Sequence, residues 1–305
     1  MLLSVLDLGS NSFHLVQYRV RSRRRLEKVG RTKEMCRLGA GTLSNGSIDD
    51  AAWRRGSTAL DRLYRRALGR EPDRLVAVAT SAIRDADNGA EFCRAARRRL
   101  GLEIEILSGE DEARLILEGA IAALPRPGAV AVIDVGGGSA EIAVGDRREC
   151  SFAACLPLGV LRLRELARER VVPRVRAAAR DAMAQVRARR PERVLLTSGT
   201  ARRLADLALG LGLAEPDQRE LSRRALRGIA RALPQLGPSD LAALGVEEGR
   251  WDTILHGALI IDTLLDMGGV ATASVSPRGL REGVALRELG RAGRDSRRSA
   301  ARAAG

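Results

Sequence analysis

Two short segments of this 305-residue chain set an aspartate, a glycine and a serine at the same spacing. Asp7-Leu-Gly-Ser-Asn-Ser12 lies near the amino terminus, and Asp134-Val-Gly-Gly-Gly-Ser139 repeats the pattern Asp-x-Gly-x-x-Ser in the middle of the chain. Glycine lets the backbone turn tightly enough for successive N–H groups to converge on an anion. A carboxylate beside a phosphate is repulsive unless a divalent cation lies between them, and oxygen ligands combined with phosphate suit Mg²⁺. Asp7 and Asp134 are therefore candidate metal ligands. Asp and Gly are also ordinary turn residues, so either segment alone fits a plain hairpin turn. Their recurrence favours two related half-domains gripping one phosphorylated ligand from both sides.

The flanks say which elements position these loops. The apolar runs Leu2–Leu6 and Val130–Ile133 precede them. Phe13–Val20 and Glu141–Val144 follow, with the composition and alternation of strands. In P-loop and dinucleotide folds the glycine turn opens a helix. Here the pattern is strand–turn–strand, twice, with no following lysine. A helix is expected over 49–68, capped by Ser47 or Asp49. A buried strand over 75–79 should end in a loop, Thr80–Asp85, at the strand end where α/β folds bind ligands. Further expectations are a helix over 89–100 and a strand over 103–107. Ser108-Gly-Glu-Asp111 has capping-box spacing and should start a helix to about 124, with Glu112 in its first turn. Pro125-Arg126-Pro127-Gly128 marks a domain boundary. Beyond it come a helix over 172–189, a strand over 194–196 and a third small-residue turn, Thr197-Ser-Gly-Thr200. The run 254–275 contains His256, Asp262 and Asp266, so it reads as a buried helix and a turn, not a membrane span. The division expected is 1–124, 125–290 and a basic disordered tail over 291–305.

Composition narrows the function classes. Hydrophobic residues make up 45% of the chain but aromatics only 2%, which argues against base-stacking platforms and disfavours nucleic acid as a partner. The net charge of +14 favours polyanions, although Lys28 and Lys33 are the only lysines and an arginine-rich composition alone gives the same charge. The four cysteines, Cys36, Cys93, Cys150 and Cys155, lack metal-site spacing and read as reduced core thiols. His14 and His256 are the only histidines, which excludes a histidine metal cage. His14 reads as a hydrogen-bonded structural residue, and no Ser-His-Asp arrangement stands out. Arg21–Arg25 reads as a solvated turn, while Arg281 and Glu282 either line a cleft or pair with each other. A soluble cytoplasmic protein without a secretory leader is expected.

Six segments in order carry a resemblance: Leu6–His14, Ala79–Arg84, Leu107–Arg114, Val132–Glu141, Thr197–Thr200 and Gly279–Gly283. Together they resemble the exopolyphosphatase/guanosine pentaphosphate phosphohydrolase (Ppx/GppA) family of the actin/sugar-kinase/Hsp70 superfamily. The resemblance implies an α/β protein of two actin-like (ribonuclease-H-like) domains with an interdomain cleft, and Mg²⁺-dependent hydrolysis of a terminal phosphoanhydride. It makes Glu112 the catalytic glutamate acting on the attacking water and Glu141 a second essential glutamate, and it associates Asp134 with the metal. Gly9, Asn11, Ser12, Gly137, Gly138 and Ser139 match phosphate-cradling positions, and Arg84 matches an arginine facing the cleft. The metal is then expected near Asp7, Asp134 and Glu141. Ala140 stands where the family usually has threonine. Longer members carry a further helical region that this sequence does not reach, which leaves a homodimer and a processive grip on polymers open. Inorganic polyphosphate is the leading substrate and guanosine pentaphosphate the alternative. An ATP-dependent kinase of the same superfamily and an arginine-rich nucleic-acid-binding protein are the readings from other classes.

Overall fold

The computed structural model describes residues 1–22, 25–122, 124–125, 128–215 and 219–303, with side chains as far as Arg291. Parts of the expected boundary at 125–128 and of the Arg21–Arg25 run lie outside the described residues.

Two sheets organise the chain. The first is built from β1 (Leu2–Leu8), β2 (Ser12–Ser22), β3 (Arg25–Met35), β4 (Arg74–Ala79) and β5 (Ile104–Ile106), in the order β3-β2-β1-β4-β5. The second is built from β6 (Val130–Val135), β7 (Ala140–Gly145), β8 (Cys150–Leu156), β9 (Arg193–Leu196), β10 (Glu220–Ser222) and β11 (Thr272–Val275), in the order β10-β11-β9-β6-β7-β8. The halves repeat one plan. β1 pairs antiparallel with β2 and parallel with β4, and β6 pairs antiparallel with β7 and parallel with β9. Each phosphate-loop candidate is thus the turn of a hairpin at the centre of its sheet.

Helices cover the sheets. In the first half these are α1 (Gly39–Asn45), α2 (Asp50–Leu68), α3 (Ser81–Arg84), α4 (Gly89–Leu100) and α5 (Gly109–Ile121). Asp49 caps α2 by accepting from the Ala52 amide at 2.7 Å. Ser108 caps α5 by accepting from the Asp111 amide at 3.1 Å. The expected loop at Thr80–Asp85 is instead largely α3: the Thr80 carbonyl accepts from both Ile83 and Arg84 amides, giving one tight helical turn. The second half contributes α6 (Val160–Leu163), α7 (Arg168–Arg189), α8 (Ser198–Gly210), α9 (Arg223–Ala232), α10 (Pro238–Ala243), α11 (Ile254–Gly268) and α12 (Leu280–Ala303). Pro173 is the sixth residue of α7, so the helix forgoes one i→i−4 hydrogen bond there. None of the described helices is long and apolar enough to cross a membrane.

In the first sheet, β1 and the first part of β2 are buried on both faces. Leu6, Leu8, Phe13 and Leu15 face α2 and α4. Leu3, Val5, Val16 and Tyr18 face the other way and pack on Val284, Ala285 and Leu289 of α12. A strand buried on both sides needs cover on both, and each such side chain withdrawn from water is worth about 1.5–3 kcal/mol. The last helix therefore belongs by packing to the first sheet, not to the 125–290 unit expected from the sequence. Its backbone also continues as helix through 291–303, where a disordered tail was expected; Ala and Arg are strong helix formers. Residues 304–305 lie outside the described residues. α5 lies between the halves: Leu115 packs with the first sheet's core, and Ala113, Ile116, Leu117 and Ala120 pack on Val130, Val132 and Ala143 of the second. α5 and α12 cross with no side chain between them, since a Cβ at Gly119 would lie 2.0 Å from Gly279 O and one at Gly283 1.9 Å from Leu115 O.

Candidate active site

The two hairpin turns meet. A Cβ at Gly137 would lie 3.0 Å from Ser10 Cβ and 3.3 Å from the Asn11 amide nitrogen, and one at Gly138 would lie 2.2 Å from Ser81 Oγ. Only glycine lets the second turn approach the first so closely. Between them is a cleft lined by Asp7, Gly9, Asn11, Ser12, Glu112, Asp134, Gly137, Gly138, Ser139 and Glu141. These include every site residue proposed from the sequence except Arg84.

The loop carbonyls are held from behind. Ser10 O accepts from Gly39 N and Asn11 O from Arg37 N, each at 2.8 Å. Gly136 O accepts from Val160 N at 3.0 Å and Gly137 O from Leu161 N at 2.8 Å. The amides of Gly137 and Gly138 have no backbone acceptor among the described residues, which leaves them free for an anion. Asn11 is 8% exposed, yet neither its Nδ2 nor its Oδ1 has a protein partner. A buried amide left so is costly unless a ligand completes it.

Four carboxyls share the cleft: Asp7, Glu112 and Glu141 are buried and Asp134 is half-buried. Asp134 and Glu141 are register partners across β6 and β7, so their side chains stand on one face as neighbours. Burial pushes Glu141 up to about 7, and the neighbouring Asp134 pushes the same way. Burial and then Glu141 hold Glu112 well above its ordinary range, despite Arg84 Nη1 at 2.6 Å. Asp134 is raised by burial, partly offset by the Thr197 hydroxyl that donates to it. Asp7 is raised by burial, partly offset by Arg281 Nη1 at 3.0 Å. Buried acids that raise one another in this way call for positive charge.

The expected metal set needs correction. Among the described residues no three His, Cys, Asp or Glu side chains come together closely enough to hold a metal ion. Asp7 is engaged by Arg281 in an ion pair, with Nη1 3.0 Å from Oδ2. Mg²⁺ does not require a protein cage, because it takes one or two carboxylates and fills its octahedron with water and substrate phosphate. The neighbouring Asp134 and Glu141, with their charge uncompensated by any arginine ion pair, fit that pattern.

Arg84 lines an adjoining pocket that shares Ser139 with the cleft; it donates to Leu107 O at 3.2 Å and reaches Cys155 Sγ at 3.4 Å. Burial works against its charge, but Glu112 outweighs it and raises its pKa. Cys155, read as a core thiol, instead sits beside the site and donates to Glu141 Oε1 at 3.3 Å, its register partner across β7 and β8. Burial and Glu141 raise its pKa and keep it a thiol. His14 bonds Ser12 Oγ at 2.9 Å and is held neutral chiefly by burial.

Apart from Arg281, already a candidate cleft residue, the sequence reading missed a wall of cations. Arg31 and Lys33 of β3, Arg202 of α8, Arg250, Arg278 and Arg281 all line the cleft. Arg281 is paired with Asp7, and Lys33 and Arg250 with Glu247. Arg202 is lowered to about 10, first by burial and then by Arg281 and Arg31. Like charges gathered in this way form a site for a polyanion. Arg202 directly follows the small-residue turn 197–200 and Arg281 lies in the Gly279–Gly283 segment, so both stood next to motifs already singled out.

Comparison with known proteins agrees with this geometry. "Exopolyphosphatase 1" of Mycobacterium tuberculosis is 32% identical over 95% of this chain and 88% of that protein. Its Mycobacterium leprae counterpart is 30% identical over 95% and 90%. The fold matches crystal structures of an exopolyphosphatase from Cytophaga hutchinsonii (TM-score 0.85, 23% identity, 95% of this chain and 98% of that one) and of the Aquifex aeolicus Ppx/GppA family member (TM-score 0.76, 23% identity, 95% and 98%). The Ppx/GppA phosphatase family model matches residues 16–292, which span the second loop, three of the four carboxyls and all six cations of the cleft. With two actin-like sheets closing their hairpins on one acidic and basic cleft, the chain belongs to the Ppx/GppA phosphatase family, hydrolases of phosphoric anhydrides.

Proposed function

We propose that this protein is a Mg²⁺-dependent exopolyphosphatase that releases orthophosphate from the end of inorganic polyphosphate. The observation that carries this reading is the composition of the cleft: six cationic side chains line it and no Phe, Tyr or Trp does. A polymer of phosphates needs repeated positive charge, whereas a guanine base is ordinarily held by stacking. The name of the mycobacterial relatives supports the same choice.

The terminal phosphoryl group lies between the two loops, where the Gly137 and Gly138 amides and the Asn11 amide nitrogen donate to its oxygens. Phosphoryl transfer asks for positioning and charge neutralisation more than for covalent chemistry. Asp134 and Glu141 would hold Mg²⁺, which would supply part of that neutralisation. Glu112, raised by burial and Glu141, accepts a hydrogen bond from the attacking water and takes its proton as the new bond to phosphorus forms and the bond to the bridging oxygen breaks, the shortened polyphosphate leaving with that oxygen. Arg84 holds the Glu112 carboxyl in place. Arg31, Arg202 and Arg278 hold the following phosphates of the chain.

Phosphate release is measured with polyphosphate of several lengths, guanosine pentaphosphate and ATP, with and without Mg²⁺. The expected result is Mg²⁺-dependent release, with kcat/KM highest on polyphosphate. A higher kcat/KM on guanosine pentaphosphate would transfer the activity to that nucleotide, and no release from any of the three would refute the proposal.

A further inference from the structure

Arg162, which no motif of the chain singles out, lies where the two halves touch. It is the third residue in a parallel series. Val160 N holds Gly136 O, Leu161 N holds Gly137 O, and the Arg162 side chain continues the ladder as its Nε donates to Gly138 O at 2.9 Å. The same guanidinium crosses to the first half. Its Nη2 pairs with Asp85 Oδ2 at 2.5 Å, and its Nη1 lies 3.5 Å from Leu43 O. Asp85 Oδ2 also accepts from Ser81 Oγ at 3.2 Å. The other oxygen of Asp85 lies 3.4 Å from Arg84 Nε, and Arg84 holds Glu112. An unbroken chain of polar contacts therefore runs from Gly138 of the second loop through Arg162, Asp85 and Arg84 to Glu112.

We propose that Arg162 is a positioning residue that ties the second phosphate loop to the Glu112 side of the cleft. The side chains of Arg162 and Asp85 keep 23% and 36% of their exposure. Ion pairs of that kind add little to stability, so their contribution is to geometry. The Gly138 carbonyl shares a trans peptide plane with the Ser139 N–H, so holding Gly138 O on Nε fixes that N–H on the opposite side of the turn, in a loop whose Ser139 lines the cleft. With Asp85 anchored by Arg162, Arg84 keeps its aim on Glu112. The loop and the carboxyl belong to different halves, and this contact sets their spacing without touching the phosphate.

The kinetic arm of the test rests on the phosphohydrolase activity proposed above; the second arm does not. Arg162→Met, Asp85→Asn and the double variant are compared with wild type. Hydrogen–deuterium exchange is read at the amides of 158–166 and 80–88, and kcat and KM are measured on polyphosphate of defined length. The expected result is faster exchange in both segments and a kcat lower by roughly ten- to a hundredfold, as sub-ångström misplacement produces, with KM little changed. The double variant should be no worse than the worse single one, because both break the same link. Arg162→Lys, which keeps the charge for Asp85, should recover part of the rate. Unchanged exchange, additive losses, or a loss seen only in KM would overturn the proposal. If exchange quickens as expected but wild type releases phosphate from no substrate, the tie stands and the assigned activity falls.

Discussion

The two phosphate loops share a backbone and differ in charge. Both are hairpin turns whose carbonyls are held from behind by main-chain amides. In the first loop the aspartate is paired with an arginine from the end of the chain, and the strand that follows carries a neutral His14. In the second the aspartate meets only a hydroxyl, and the following strand carries Glu141 beside it. The first loop thus presents unsatisfied amide groups of Asn11, and the second presents unneutralised carboxyls. On the function proposed above, both loops would hold phosphate through their backbone and Asn11, and the second would hold the cation as well.

The largest test is removal of carboxylate charge from the cleft, once beside the second loop and once on α5. Glu141→Gln and Glu112→Gln should each lower phosphate release by about a thousandfold or more, within the range for removal of an acid–base or charge-stabilising group. Near-wild-type rates in both would end the assignment of the carboxyls. Next comes a contrast between the glycines that support each loop. An alanine Cβ at Gly159 would lie 2.3 Å from Gly137 O, a backbone atom, whereas one at Gly39 would meet Ser10 Cβ at 2.9 Å. Gly159→Ala should therefore cost about a hundredfold in kcat and Gly39→Ala several-fold less; the reverse order would mean that the first loop is the more tightly fitted. The smallest effect is on stability. Without metal, Glu141 titrates at about 7 instead of near 4.5. The folded protein then keeps a proton that the unfolded chain has lost, and this contribution, present below the unfolded value, is lost as pH rises through about 7. The Tm of the metal-free protein should fall between pH 5.5 and pH 8, and Mg²⁺ should raise it more at pH 8 than at pH 5.5. An equal Mg²⁺ increment at both pH values would place the ion away from Glu141.

Much of this site was legible because it is local. The loops, the strands that follow them, the cap at Ser108 and the position of Glu112 in a first helical turn are all set by neighbours a few residues apart. What the sequence withheld was long-range. Nothing near Asp7 announces Arg281, 274 residues away. Nothing in the spacing of the cysteines shows that Cys155 is the cross-strand partner of Glu141. The cationic wall escaped notice because Arg31, Arg202 and Arg278 come from separate elements within a chain already crowded with arginine. The segment around Arg84 fixes its location but not the direction of its side chain, which turns to Glu112.

The return of α12 to the first sheet has a consequence for how the molecule is made. A ribosome delivers β1 and β2 first, with Leu3, Val5, Val16 and Tyr18 ready to be covered, but Val284, Ala285 and Leu289 emerge last. The nascent amino-terminal half must wait, one face bare, while the whole second half is synthesised. The stroke that finally covers it also brings Arg281 to Asp7, so the half begun first is finished last, and its catalytic electrostatics are completed only with that final helix.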